Sequence, residues 1–375
     1  MAVCDCAIDR RAVKRVGKSS AAIDYKLVVF LVCLTILLQY VVIFTYETGE
    51  TGENNTVLCA LLSAANTALY LLIALACGRT TKEKQWLLLA LGGGYLVMRT
   101  LLAGNGIVSM FNNVELIVAV VLFGRLRLPK RYVKRICVFS VALFLCVVVT
   151  SRYDGRWISN RIFDSVYMNR NHFGVLTAVN MYMALTALRK RGRKLRLSYL
   201  AVYAAGIGLV IPTTSRTSLV CVVLLALFHI FSVKKKRINA AKFFGFFTVC
   251  LALSAFAVVF LAYVLPAIVG ENFTLFGRSI SSGRETIYTD AFSALKRGWS
   301  WLFGRGVLSE FTSTKSILGD IRTNAHNQWL QFILNYGVVY LAFMIYVYLS
   351  VFKRIANDRP STNTAMFVMM QILFF

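Results

Sequence analysis

The sequence predicts an all-α, polytopic integral membrane protein with about 11 transmembrane helices. Its 375 residues are 58% hydrophobic and only 15% charged, with a mean hydropathy of +0.66, whereas about a quarter of the residues in a soluble domain are charged. Apolar runs of roughly 20 residues, the length that crosses a bilayer, recur along the chain. Basic residues gather in alternate loops between these runs.

The chain begins with a basic segment followed by its first apolar run. Residues 1–26 carry a group of cationic side chains, and the apolar run Leu27–Tyr46 comes next. This run is longer than the core of a signal peptide and has no small-residue cleavage site. We therefore interpret residues 1–26 as a cytoplasmic basic N-terminus and residues 27–375 as a single membrane domain that retains its first span.

Further apolar runs follow in order, and each is long enough to be considered as a span. Asn112, Asn113 and Glu115 interrupt the fourth, and the eleventh is only about half a span, so we expect the natural protein to continue beyond residue 375. A long loop, 266–327, separates the ninth run from the tenth. The predicted spans are 27–46, 57–77, 86–103, 107–123, 135–150, 172–188, 198–212, 218–233, 243–265, 328–350 and 365–375.

The distribution of basic residues predicts which loops lie inside. With a cytoplasmic N-terminus, the inner loops and N-terminus hold 29 of the 42 lysines and arginines, as the positive-inside rule requires. The net charge of +26 therefore reflects orientation, and we expect no nucleic-acid partner. The loops 151–171, 213–218 and 266–327 fall outside, and the last contains a predicted helix, Glu285 to Leu302, with helical apolar spacing.

The outer loops carry many arginines and few lysines. Arginine binds phosphate oxygens in pairs, which lysine does not, so the set favours an anionic ligand over pairing with carboxylates or lipid headgroups. Arg216 begins a span after a tight turn in "IPTTSRTSLV", which indicates either a polar cavity or a simple hairpin with a snorkelling arginine. His326, in "TNAHNQW", is either a helix cap or a general base, and His172 is similarly placed.

Three stretches together resemble the O-antigen ligase and O-antigen polymerase family of bacterial membrane glycosyltransferases. They are "MNRNHFGVLTAVN", "IPTTSRTSLVCVVLLAL", and "GRETIYTDAFSALKRGWSWLFGRGV" followed by "NAHNQWLQFILNYGVVYLAF". The resemblance covers roughly residues 165–350 and implies a GT-C-like fold in the bacterial cytoplasmic (inner) membrane. It also implies an undecaprenyl diphosphate-linked oligosaccharide as donor, a glycan or lipid acceptor, and no metal ion or other cofactor.

Carried over residue by residue, the resemblance implies specific roles for residues at the outer face. Arg216 and Arg284 would bind the diphosphate, and His326 would be the catalytic residue. Further candidates for substrate binding are Arg170, Asn171, His172 and Asn327. Histidine suits a base that accepts a hydroxyl proton near neutral pH, and arginines stabilise a departing diphosphate where no metal is bound.

Two questions stay open at this point. A ligase and a polymerase need the same donor site, so these residues do not separate them; we favour a polymerase because nothing marks a lipid A or protein acceptor. The alternative from another class is a polytopic transporter or a flippase of lipid-linked sugars. Transporters place ionisable groups near the midplane, where this chain offers mainly Glu115.

Overall fold

A computed structural model gives the architecture of much of the chain. It describes residues 24–48, 53–76, 83–103, 107–123, 128–150, 170–188, 196–213, 216–234, 284–296, 298–306 and 328–357, with a few isolated residues and pairs between 256 and 322. Almost all described residues are helical, which confirms the predicted all-α class. The exceptions in this part of the chain are turns and two antiparallel pairs of two-residue strands.

The helices are numbered here in chain order over the described residues. α9 and the four-residue α10 lie in the loop 266–327, so these labels do not count membrane crossings. The bounds are α1 Tyr25–Thr48, α2 Glu53–Ala76, α3 Glu83–Ala103, α4 Ile107–Phe123, α5 Lys130–Thr150, α6 Arg170–Leu188, α7 Leu197–Val210, α8 Arg216–Lys234, α9 Arg284–Leu295, α10 Ser300–Phe303 and α11 Gln328–Asn357.

Nine of the predicted spans coincide with helices α1 to α8 and α11. The run 365–375 lies outside the described residues, and so does the run 243–265 apart from Phe256, Phe260 and Val264. Among the described helices, Lys130–Val149 and Trp329–Val347 are long and apolar enough to cross a bilayer by length and composition, and five others contain shorter apolar stretches. The helices are therefore confirmed, and the number of crossings stays a prediction.

The loop 266–327 differs from its prediction in one respect. The expected helix Glu285 to Leu302 is two helices, because α9 ends at Leu295 and Gly298 has a positive φ of 55° before α10 begins. Short strands flank this pair: β1 Thr274–Leu275 with β2 Arg278–Ser279, and β3 Phe311–Thr312 with β4 Ile321–Arg322. Helical spacing of apolar residues continued through the turn, so periodicity alone missed the break.

Buried polar side chains connect the helices of the first half. Asn180 of α6 accepts a hydrogen bond from Ser140 of α5 (2.8 Å) and donates to the Tyr40 hydroxyl of α1 (2.9 Å). The neighbouring Gln39 of α1 donates to Glu115 of α4, which also accepts from Asn66 of α2 (2.5 Å). Hydrogen bonds of this kind stabilise helix packing where lipid supplies little hydrophobic drive.

A second cluster joins α3, α4 and α11. Leu96, Ile117 and Phe332 are buried there together with Tyr336 and Tyr340. α4 therefore contacts both the first-half bundle, through α2, and the helix that follows the long loop. This arrangement positions α11, whose first residue comes two positions after His326.

Candidate active site

The predicted site residues stand at helix starts. Arg170, Arg216 and Arg284 are the first residues of α6, α8 and α9, while His326 and Asn327 lie outside the described residues, immediately before α11. The side chains of the three arginines, and those of Asn171 and His172 in the first turn of α6, are also outside the described part. The structure gives the backbone positions at the starts of α6, α8 and α9 and the residues that pack beside them.

Arginine is an unusual residue at these positions. The first turn of a helix carries partial positive charge, so anions are favoured there and cations are not. Neither α6 nor α8 has an acidic residue in its first turn, whereas Glu285 follows Arg284 in α9. Exposed backbone N–H groups together with a guanidinium suit an anion such as phosphate.

The start of α6 packs directly against the start of α8. A Cβ atom at Gly174 would overlap the Ser218 side chain and would lie 3.6 Å from Thr213 Oγ1. Thr213 ends the 3₁₀ turn Ile211–Thr213, and its hydroxyl donates to the Val210 carbonyl at 2.7 Å. The absence of a side chain at Gly174 thus lets two of the predicted motifs meet.

α9 packs on the first turns of α11. Tyr288, Ala291 and Leu295 of α9 are buried with Leu330 and Leu334 of α11. Because Leu330 is four residues after His326, the helix that Arg284 begins lies beside the start of the helix that His326 precedes. On the same stretch of α9, Asp290 is only 3% exposed.

α11 is interrupted at Gly337, and the turn after α10 packs into the interruption. Gly337 has φ 82° and ψ 174°, and Gly304 has φ 76° and ψ 176°, a region that is essentially reserved for glycine. A Cβ at Gly304 would overlap the backbone of Asn335 and Tyr336, and one at Gly337 would overlap the backbone of Leu302 and Phe303. We call this contact the glycine joint.

The joint also satisfies the carbonyl groups that the kink leaves without helical partners. Arg305 N–H donates to the Leu334 carbonyl (2.6 Å), Gly306 N–H donates to that of Asn335 (3.1 Å), and the Tyr95 hydroxyl donates to that of Tyr336 (2.6 Å). Since unpaired buried carbonyls are costly, these three bonds stabilise the bent helix.

α3 contributes two residues to this region that sequence reasoning did not assign to it. Besides Tyr95, Arg99 donates from Nη2 to the Gly304 carbonyl at 2.9 Å. Both contacts join residues more than 200 positions apart, so neither local spacing nor hydropathy signals them. The detectable hint was an arginine four residues from the end of an apolar helix.

Not all candidates are brought together. The α6–α8 contact and the α9–α11 contact each unite two of the predicted motifs. The two contacts are connected through the bundle by α4, α2, α1 and α5 in turn. In the residues described, no single cluster contains all four helix starts. The third histidine of the chain, His229, is 3% exposed, and its Nδ1 lies 2.6 Å from the Tyr203 hydroxyl.

The described part of the chain is helical, its apolar helices fit insertion into a membrane, and α9 and α10 of the long loop pack on the bent helix α11. Residues 200–345 match the family model described as O-antigen ligase. Over this part of the chain the match confirms the resemblance to the O-antigen ligase/polymerase family seen in the sequence. No curated protein and no solved structure gave a match. The family comprises membrane enzymes of the glycosyltransferase or ligase type that act in polysaccharide biosynthesis.

Proposed function

We propose that the protein transfers a glycan from a polyprenyl (undecaprenyl) diphosphate donor to an acceptor hydroxyl at the outer face of the bacterial cytoplasmic membrane. The observation that carries this proposal is the family match, because its residues 200–345 include Arg216, Arg284, His326 and Asn327. The matched region also contains α9, the glycine joint and most of α11. The proposal includes the GT-C-like fold and the multi-pass topology.

In this reaction the bond between the sugar's anomeric carbon and the diphosphate oxygen breaks as the acceptor oxygen attacks that carbon. We assign to Arg216 and Arg284 the stabilisation of the charge that develops on the departing diphosphate. His326 takes the proton from the acceptor hydroxyl. Arg170, Asn171, His172 and Asn327 are assigned to substrate binding. The two arginines that begin α8 and α9 suit this role because helix N–H groups add to the guanidinium.

The transporter alternative has less support from the structure. Glu115, the main ionisable group near the predicted midplane, is 6% exposed and accepts hydrogen bonds from amides on α1 and α2. A carboxyl enclosed by neighbouring helices in this way fits a packing role better than a substrate pathway. Transport of a lipid-linked sugar is therefore the less favoured function.

Reconstitution of the purified protein tests the proposal. Vesicles containing the protein receive an undecaprenyl diphosphate-linked oligosaccharide, and the products are separated by size. Growth of the glycan chain on the lipid indicates a polymerase, which we favour, and transfer to a second acceptor indicates a ligase. Movement of the intact donor across the bilayer without a new glycosidic bond would instead establish the transport alternative.

The expected independence from metal ions is tested in the same assay. Turnover should be unchanged by a chelator of divalent cations, since we assign charge stabilisation to arginines. A loss of activity that Mg²⁺ or Mn²⁺ restores would contradict this part of the proposal.

A further inference from the structure

We infer that α10, with its exposed aromatic residues, is an anchor seated in the headgroup region of the lipid bilayer. Trp299 is 71% exposed, Trp301 49% and Phe303 43%. Three large aromatic side chains exposed within five residues form a concentrated apolar patch, which in a water-facing loop marks a surface with a partner. The inference concerns where this segment sits, so it stands or falls independently of the proposed reaction.

The hydrogen bond from Arg99 fixes the depth of α10 in the bilayer relative to α3, a predicted membrane span. Arg99 binds the Gly304 carbonyl at the end of α10, and it lies four residues before α3 ends at Ala103, about 6 Å along the helix axis. The neighbouring Leu101 and Leu102 are 76% and 70% exposed, as expected of side chains that face lipid.

α11 gives an independent estimate of the depth of α10 in the bilayer. From Gly337, which contacts the residues of α10, the helix runs to Lys353, a distance of about 24 Å at the usual rise per residue. A hydrocarbon core of about 30 Å then leaves the glycine joint roughly 6 Å inside the boundary if Lys353 marks the opposite one. Both helices place the end of α10 within about 6 Å of the boundary between the hydrocarbon core and the headgroup region.

The chemistry of the patch favours the headgroup region over the hydrocarbon core. Tryptophan concentrates at membrane interfaces because its ring is apolar and its N–H is polar. Lys296, exposed in the turn before α10, suits an interaction with lipid phosphates. We therefore assign the phospholipid headgroup region as the partner of these aromatic residues. Finding them against another protein, or deep in the hydrocarbon core, would contradict this assignment.

Fluorescence quenching in vesicles tests the assignment. The chain has five tryptophans; variants that keep only Trp299 or only Trp301, with phenylalanine at the others, are reconstituted into phosphatidylcholine and phosphatidylglycerol. Lipids brominated near the headgroup should quench both residues more than lipids brominated near the chain end, and aqueous iodide should quench them least. A variant that keeps only Trp329, half-buried against Phe332, gives the level for a ring packed against protein.

Two results would overturn the inference. Strong quenching by iodide without an effect of brominated lipids would place the patch in water or against a protein, and maximal quenching by deep bromines would place it in the hydrocarbon core. If the single-tryptophan variants do not fold, the unmodified protein is compared with the double variant W299F/W301F. Quenching by lipids brominated near the headgroup should then be weaker in the double variant. An unchanged signal in that pair would contradict the anchor.

Discussion

At the scale of single residues, the proposed chemistry divides between groups that hold the donor and one that moves a proton. The arginines occur at the first residues of helices, where a cation gains nothing from the helix dipole. A bound anion would account for both the residue type and the position. His326 has a separate role, so substitutions at the two kinds of residue should produce different kinetic defects.

The first prediction concerns His326. His326→Ala and His326→Gln should each reduce turnover by roughly two orders of magnitude or more, because neither side chain accepts the proton. Binding of the donor should change little, since the arginines hold the diphosphate. Turnover per folded protein and donor affinity are measured together in the reconstituted system.

His229→Gln is the matched control for this substitution. His229 is buried against Tyr203 and Tyr199, so its replacement should lower the amount of folded protein and leave the turnover of what folds nearly normal. If His326→Gln behaved in this way as well, with more than about a tenth of normal turnover, His326 would be a cap and not a base.

The second prediction concerns Arg216 and Arg284. Lysine retains the charge but loses the planar fork that binds two phosphate oxygens, so Arg216→Lys and Arg284→Lys should each lose about ten- to a hundredfold in donor affinity or turnover, the usual effect of one charge-assisted hydrogen bond. Arg131→Lys serves as the control because Arg131 lies in the first turn of α5 and contacts its neighbour Tyr132. Full activity in both site variants at normal protein levels would remove them from the donor site.

At the scale of elements, the site depends on two close helix contacts that glycine makes possible. One joins α6 to α8 at Gly174, and the other is the glycine joint between α10 and α11. Each brings a motif from one part of the chain against a motif from another. Adding one methyl group at either contact should therefore change how the two motifs are placed relative to each other, as well as the stability of the protein.

The third prediction concerns the glycine joint. Gly337→Ala should destabilise the protein by more than the 1–3 kcal/mol expected for an alanine in this backbone conformation, because the Cβ would also overlap the Leu302 carbonyl. Thermal unfolding in detergent measures the loss. Gly94→Ala is the control, since Gly94 lies in helix α3 with nothing near its added Cβ and should be neutral or slightly stabilising. Equal melting temperatures for the two variants would mean that the joint is not formed.

The fourth prediction concerns the contact between α6 and α8. Gly174→Ala should destabilise the protein by about 1–3 kcal/mol through overpacking against Ser218 and should reduce turnover. Adding Ser218→Gly removes the atoms that the new Cβ meets, so the double variant should recover part of both losses. Gly208→Ala, in α7 with open space around it, should have little effect. Strictly additive effects of the two substitutions would show that these residues do not touch.

At the scale of the whole molecule, sequence patterns predicted the helices better than their meeting points. Apolar runs located α1 to α8 and α11 because a helix that crosses a bilayer needs about 20 consecutive, mainly apolar residues, which is visible in the sequence. The glycine joint and the contacts of Tyr95 and Arg99 could not be predicted, since they join residues distant in sequence. The break in the predicted helix Glu285 to Leu302 was also missed, because the apolar spacing continues across Gly298.

In the candidate site, too, the positions of helices were predictable from the sequence and the contacts between them were not. A helix start at Arg216 was predicted from a polar turn, and a helix was predicted to begin at Glu285, directly after Arg284. In the structure Arg216 and Arg284 are each the first residue of a helix. Which motifs touch was not predictable: Gly174 meets Ser218, and Leu330 packs on α9. The family match over 200–345 does not include Arg170, Asn171 and His172, so their connection to the site rests on the α6–α8 contact.

The last prediction concerns the orientation of the chain, on which the side of the reaction depends. Because the N-terminus and alternate loops together hold 29 of the 42 basic residues, we expect loop 266–327 outside and the end of α8 inside. In intact cells, an impermeant thiol reagent should label Ser281→Cys and should not label Ser232→Cys. The nine native cysteines are replaced beforehand, and permeabilised cells provide the control, in which Ser232→Cys must become reactive. Labelling of Ser232→Cys alone in intact cells would invert the topology and place Arg284 and His326 on the cytoplasmic side, where the proposed extracytoplasmic reaction could not occur.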